Sequence, residues 1–217
     1  MYVPRSNAMD DGDEIRRLVS AVGSAQLVTV ADDGFPAATL LPVVWDGARL
    51  VMHMARANPH WRSIGDGAPA LAVVSGPEAY VSAAWYPSKT EHGRVVPTWN
   101  YSAVHLTGRA TVTHDPDWLL DAVTRLTDAH EQRRDRPWRV DDAPARYVEK
   151  QLAAIVGIEV AIERVEGKAK LSQNRDDADF AGVIAGLRRE GAGREHQVAD
   201  AMAVLRPQDE GTRRPSS

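Results

Sequence analysis

Cysteine is absent from this 217-residue chain. That excludes disulfides, thiolate nucleophiles and thiolate-bound zinc or haem. No apolar run approaches the ~18 residues of a membrane span, so no membrane contact is expected. The start, Met1-Tyr2-Val3-Pro4-Arg5, lacks the apolar stretch of a secretory signal, and the expected location is cytoplasmic. Several catalytic signatures are missing as well. There is no Walker A sequence, no Gly-x-Gly-x-x-Gly opening a helix, no Gly-x-Ser-x-Gly elbow and no His-Glu-x-x-His pair. His130-Glu131 has no second histidine at the needed spacing. Internal repeats and low-complexity blocks are lacking. Excess charge is lacking too: 26 Lys and Arg against 30 Asp and Glu leave a formal net charge of -4. That balance gives little counterion-release drive toward nucleic acid, so DNA binding is not expected.

What is present is a pattern. Hydrophobic residues make up 43% of the chain, enough for a substantial core. Ile15, Leu18, Val19 and Val22 recur at helical spacing and Gly23 offers a C-cap. From Ala25 the pattern turns to short strands joined by Asp-Gly turns at Asp33-Gly34 and Asp46-Gly47. Arg49–Ala55 reads as a strand, Ala70–Ser75 and Ala79–Ser82 as two strands divided by Gly76-Pro77. Ser102–His114 reads as a long strand interrupted at Gly108, and Ile155–Val165 as another. Helices are predicted over Trp118–His130, Pro144–Ala153, around Phe180–Leu187 and around Val198–Leu205. Antiparallel strands with late helices predict a mainly antiparallel α+β fold, a barrel with helical decoration. A single domain over residues 1–206 is expected, and residues 207–217, polar and apolar-poor, are expected to be a disordered tail.

Three segments concentrate polar chemistry. The run His53-Met54-Ala55-Arg56-Ala57-Asn58-Pro59-His60-Trp61 follows a buried-looking strand, and Pro59 opens a short helix. Helix N–H groups beside a guanidinium and an imidazole make a seat for an anionic cofactor. The alternative is a satisfied core histidine and a solvated arginine. Val96-Pro97-Thr98-Trp99-Asn100-Tyr101 sets hydrogen-bonding groups beside two aromatics, which suits a flat heterocycle or, equally, an aromatic plug. Gly167-Lys168-Ala169-Lys170-Leu171-Ser172-Gln173-Asn174-Arg175 reads as a donor-rich connection from the last strand to a helix starting near Asp176. Tyr86 and Lys89 flank Pro87 and are further candidates for a proton donor and its electrostatic partner.

Those three segments, with Met1-Tyr2-Val3-Pro4, Gly76-Pro77, Ala79-Tyr80-Val81-Ser82, Trp85-Tyr86 and Ile155-Val156-Gly157, together resemble the PaiB family, labelled FMN-binding negative transcriptional regulators. The resemblance runs from Met1 to about Leu187. It implies an FMN-binding split β-barrel with peripheral helices, working as a homodimer with the cofactor at the subunit interface. On this chain it implies that Arg56, Asn58, Lys170 and Ser172 lie near the phosphate, that Thr98, Trp99 and Asn100 line the ring side, and that His53 and Gln173 belong to the cofactor site. No metal is then expected.

A more distant similarity links the His53–Trp61 and Pro97–Tyr101 motifs to haem-dependent piperazate synthase, which forms an N–N bond. That similarity implies haem b as the alternative cofactor, with His53 as axial iron ligand and Lys170 as the candidate catalytic residue. Gln173-Asn174-Arg175 and Trp85-Tyr86 with Ser88-Lys89 follow the regulator-type members instead. The expectation is a PaiB-like protein with a regulatory or redox role in small-molecule metabolism. A haem enzyme and a non-catalytic transcriptional repressor are the alternatives, and whether the chain is an enzyme stays open. The terminal helix pair carries Arg188, Arg189 and Arg194 but lacks a second helix rich in groove-reading side chains.

Overall fold

The computed structural model describes residues 1–206; the predicted tail lies outside them. The strands are β1 (Ala8–Met9), β2 (Ser24–Val30), β3 (Pro36–Pro42), β4 (Val44–Trp45), β5 (Arg49–Ala55), β6 (Ala68–Val81), β7 (Thr98–Thr113) and β8 (Ile155–Lys170). The helices are α1 (Gly12–Val22), α2 (Ser88–His92), α3 (Pro116–Glu131), α4 (Ala145–Leu152), α5 (Asp177–Glu190) and α6 (Arg194–Leu205). The strands form one sheet in the order β3-β2-β6-β7-β8-β5-β4, with β1 paired to β8. This is the mainly antiparallel α+β class that the sequence predicts. Among the described residues no helix is long and apolar enough to cross a membrane.

The chain divides into two compact units, each drawn from three stretches. The first holds Met1–Tyr2, Met9–Gly76 and Ala103–Gly167. In it β5 buries Leu50, Met52 and Met54 on one face. Each such side chain contributes roughly 1.5–3 kcal/mol by leaving water. His53 alternates onto the opposite face. It pairs with Gly157 of β8 in antiparallel register. A Cβ at Gly157 would lie 2.1 Å from the Trp118 ring, so the missing side chain is what lets α3 approach that face. Asp11 caps α1 through the Asp13 N–H, and Gly23 closes it in the left-handed conformation at φ 66°.

The second unit holds Val3–Ala8, Pro77–Ser102 and the described part of the stretch from Lys168. Its core is the α5–α6 pair, where Phe180, Val183, Leu187, Val198 and Met202 are buried. Gly182 and Gly186 of α5 leave room for the turn Ala83–Trp85: a Cβ on Gly182 would meet the Trp85 carbonyl at 2.2 Å, and one on Gly186 the Trp85 ring at 2.3 Å. Ser88 and Asp179 tie α2 to the start of α5 by two hydrogen bonds, Ser88 N–H and Oγ–H both donating to the carboxylate.

Three expectations about strands are corrected. Gly76-Pro77 does not divide two strands, because β6 runs through it. Proline's fixed φ is compatible with extended backbone, and the cost is only one ladder donor. Gly108 does not interrupt β7. It is there for closeness, since a Cβ at Gly108 would sit 2.0 Å from the Ala161 carbonyl oxygen of β8. Gly167–Lys170 is not connection but the last turn-free stretch of β8, which leaves only residues 171–176 to reach α5.

Candidate functional site

Extending β8 to Lys170 puts that side chain against the first residues of β7. Its Nζ donates to the Thr98 hydroxyl and to the Trp99 carbonyl, each at 2.5 Å. Burial holds the Lys170 ammonium below the usual lysine range, and Lys168 adds to the effect, with Tyr101 opposing it. One residue further along β7, Asn100 is fully buried. Its Nδ2 donates to Ser172 Oγ at 3.0 Å, and Ser172 Oγ–H donates back to Asn100 Oδ1 at 3.1 Å. The Met202 sulfur lies 3.5 Å from the same amide nitrogen. Ser172 is held at φ 64°, the one non-glycine residue with positive φ among those described. A serine pays a steric penalty there, and such strain concentrates at functional sites.

The connection after Lys170 is pinned from both sides. Gln173 Oε1 accepts from the Leu171 N–H at 2.7 Å, and its amide donates to the Ala169 carbonyl. Arg206 donates to the carbonyls of Gln173 (2.8 Å) and Arg175 (3.1 Å) and to the Asp177 carboxylate (2.9 Å). Trp99 stays half exposed at 47%, its ring 6.3 Å from that of Tyr80 and its Nε1–H on Glu78. A cleft of about 230 Å³ opens beside this cluster, lined by Thr98, Asn100, Lys170, Ser172 and Gln173 together with Arg175 and the N-terminal segment around Ser6 and Asn7. Sequence reasoning found the first five and the donor-rich run that ends at Arg175, and missed Ser6 and Asn7.

Tyr86, a candidate proton donor in sequence, is 2% exposed, and among the described residues its hydroxyl has no partner at full hydrogen-bond geometry, with Arg175 and Ser172 beside it. Burial raises its pKa, partly offset by Arg175, whose guanidinium lies 4.4 Å from the ring centroid. Lys89 is exposed on α2.

The His53–Trp61 segment belongs to the first unit. There Arg56 acts as a brace: Nε donates to the Ala153 carbonyl at 2.9 Å and Nη2 to the Ile155 carbonyl at 3.1 Å, with His114 Nδ1 3.4 Å from Nη1. Asn58 caps the short 3-10 helix Pro59–Ser63 by accepting from the His60 N–H at 3.0 Å, and its amide donates to Thr39 at 3.3 Å. His60, which sequence reasoning passed over, is buried between the hydroxyls of Thr29 (2.9 Å) and Thr39 (2.8 Å). Trp61 donates to the Arg56 carbonyl at 2.9 Å and meets His114 edge-on at 5.3 Å. His53 is half-buried, and its Nδ1 is buried without a hydrogen-bond partner among the described residues. Burial lowers its pKa and so favours the neutral ring. Of the three predicted segments, the structure joins the second and third in one cluster and places the first in the other unit.

The family model described as "Putative FMN-binding domain" matches residues 1–164. The chain is 33% identical over 206 residues to the Bacillus subtilis "Protease synthase and sporulation protein PAI 2", covering 93% of this chain and 96% of that protein. Among solved structures it resembles the FAD and haem binding protein from Mycobacterium smegmatis, at 25% identity and TM-score 0.60, covering 83% of this chain and 80% of that one. It also shares its fold with the flavocytochrome Anf3 from Azotobacter vinelandii, at 19% identity and TM-score 0.57, covering 83% and 78%.

Proposed function

Because the chain belongs to the PaiB-type FMN-binding family, a family of split β-barrels, we propose that it binds FMN and serves a regulatory or redox role in small-molecule metabolism. One observation of this structure carries the reading. The start of β7 and the end of β8 meet through Lys170, Thr98 and Trp99, and through the Asn100–Ser172 pair. That cluster has what a flavin requires: fixed donors for polar ring edges, a cation, and an aromatic face left half open at Trp99. Thr98, Trp99, Asn100, Lys170, Ser172 and Gln173 are the residues proposed to hold the cofactor. When bound, FMN supplies the redox chemistry, while the chain supplies seat, orientation and electrostatics. We place this function in a cytoplasmic homodimer with the cofactor at the subunit interface.

Direct operator binding has little support. Arg188, Arg189 and Arg194, the cations of the terminal helix pair, are engaged by Asp200, Glu190 and Glu78 at 3.3, 2.7 and 3.3 Å. A regulatory effect would then run through a metabolite or a partner.

A second reading, haem b with His53 as axial ligand, is favoured by one observation. The ring carries a buried nitrogen with no partner among the described residues, and burial lowers its pKa and so favours the neutral imidazole, the form that binds iron. The M. smegmatis relative is named for both a flavin and haem. Absorption spectra of the protein loaded with each cofactor separate the readings. Flavin bands with saturable quenching of FMN fluorescence support the first, and a Soret band lost in His53→Ala supports the second. Absence of saturable flavin binding refutes the main reading.

A further inference from the structure

Helices α3 and α4 of the first unit bound a groove of about 570 Å³, within the roughly 300–1,000 Å³ of pockets that enclose drug-sized ligands. Periodicity builds its two walls. On α4, Ala145, Val148, Glu149 and Leu152 fall at i, i+3, i+4 and i+7 and share one face. On α3, Leu120, Thr124 and Asp128 fall at i, i+4 and i+8. The inward stripe of α3 is a different one, carrying the buried Leu119, Ala122 and Leu126. Leu120 is therefore spare to that core and stays 41% exposed. The 3-10 turn Val140–Asp142 adds Val140 and Asp141 to the lining.

The charge of this groove is one-sided. Three carboxylates line it, Asp128, Asp141 and Glu149, against one cation, Arg139. Arg139 lies 3.5 Å from Asp141 and is balanced by it. Arg125 pairs with Asp121 and Asp46, and Arg134 with Glu131, so among the described residues neither Asp128 nor Glu149 has an ion-pair partner. Leu152 is buried while Asp128 and Glu149 are exposed, so the apolar contacts lie deeper than the charges. An apolar floor below two uncompensated carboxylates is complementary to an apolar body that carries a positive charge. We infer that this groove is a binding site for a small hydrophobic organic cation, an alkyl- or aryl-ammonium whose tail lies on Leu120, Val148 and Leu152 and whose charge is met by Asp128 and Glu149. The inference goes beyond the flavin reading and does not depend on it.

The test is calorimetric titration of the full chain at low ionic strength, with and without FMN. The probes are phenethylammonium and hexylammonium, with 2-phenylethanol and phenylacetate as neutral and anionic counterparts. Saturable binding of at least one amine is expected in both forms, with the alcohol weaker and phenylacetate weakest. Glu149→Gln and Asp128→Asn should each weaken amine binding by about 2- to 5-fold, the range of partly exposed charge pairs. Arg139→Gln releases Asp141 and should strengthen it by a similar factor. Leu120→Lys, at an exposed position, sets a like charge in the groove and should abolish it, with unchanged circular dichroism. No saturable amine binding, equal binding of 2-phenylethanol, or amine binding that survives Leu120→Lys overturns the inference. A changed oligomeric mass in Leu120→Lys, without amine binding to the natural chain, marks the groove as a contact between copies and overturns it too. FMN affinity should be the same in every variant. Loss of the amine site then leaves the flavin reading standing, and failure of the natural chain to bind FMN leaves the amine site standing.

Discussion

Removing the Asn100–Ser172 pair one member at a time tests how the β7–β8 cluster is held. Asn100 is fully buried and Ser172 is 6% exposed, so water cannot replace a lost partner at either position. Ser172→Ala leaves Asn100 Oδ1 without its donor, while the amide keeps only the Met202 sulfur at 3.5 Å. A buried group left unsatisfied costs about 1–3 kcal/mol. Asn100→Ala orphans the Ser172 hydroxyl and also removes buried volume, so the cost expected there is about 2–4 kcal/mol. The double variant leaves neither polar group, and its cost should be no greater than that of Asn100→Ala alone. The cycle therefore predicts a coupling about equal to the cost of Ser172→Ala alone, about 1–3 kcal/mol. Urea unfolding of the four proteins measures it through the midpoints at constant slope. Strict additivity would show that the two side chains do not depend on each other, and would refute the reasoning.

Other consequences are testable in the same way. Arg56→Ala removes two hydrogen bonds to backbone carbonyls at the α4–β8 junction, and should lower stability by about 2 kcal/mol, or roughly 4–8 °C in melting temperature; an unchanged melting point would show that the guanidinium is not a brace. Gly108→Ala, whose Cβ would meet the Ala161 carbonyl at 2.0 Å, should cost about 1–3 kcal/mol, whereas Gly12→Ala, with open space around it, should be neutral or slightly stabilising by thermal melting. Burial holds the His60 pKa below its ordinary value, so below about pH 6.5 the unfolded chain binds more protons than the folded one. Stability is then full above that pH and falls as pH drops toward the folded-state pKa. His53 and His105 shift in the same direction, so His60→Gln should flatten only part of the slope seen in denaturation at pH 5 to 7.

Much of this was legible in the sequence because local rules were obeyed. The Gly23 stop, the helix start near Asp176 and the Arg49–Ala55 strand are each announced by their own residues. What failed was punctuation. Gly76-Pro77 and Gly108 read as breaks, yet each sits inside a continuous strand, since a neighbour's backbone and not a turn explains Gly108. The Thr98–Asn100 and Lys170–Ser172 groups were found by composition, and their contact across 72 residues of chain follows from adjacency of β7 and β8, which no motif encodes. In the Arg56–Trp61 run the polar chemistry was visible, whereas the cap, brace and buried bridge seen there depend on partners at Thr29, Thr39 and Ala153 that lie far away in sequence.

The most direct measurement is the affinity for FMN of the natural chain beside Lys170→Met, read by quenching of flavin fluorescence with folding monitored in parallel. Saturable binding by the natural chain, weakened about 10- to 100-fold in the variant by loss of a charge-assisted contact, is the predicted result. Equal affinity in two folded proteins would contradict it, and would take the β7–β8 cluster out of the cofactor site.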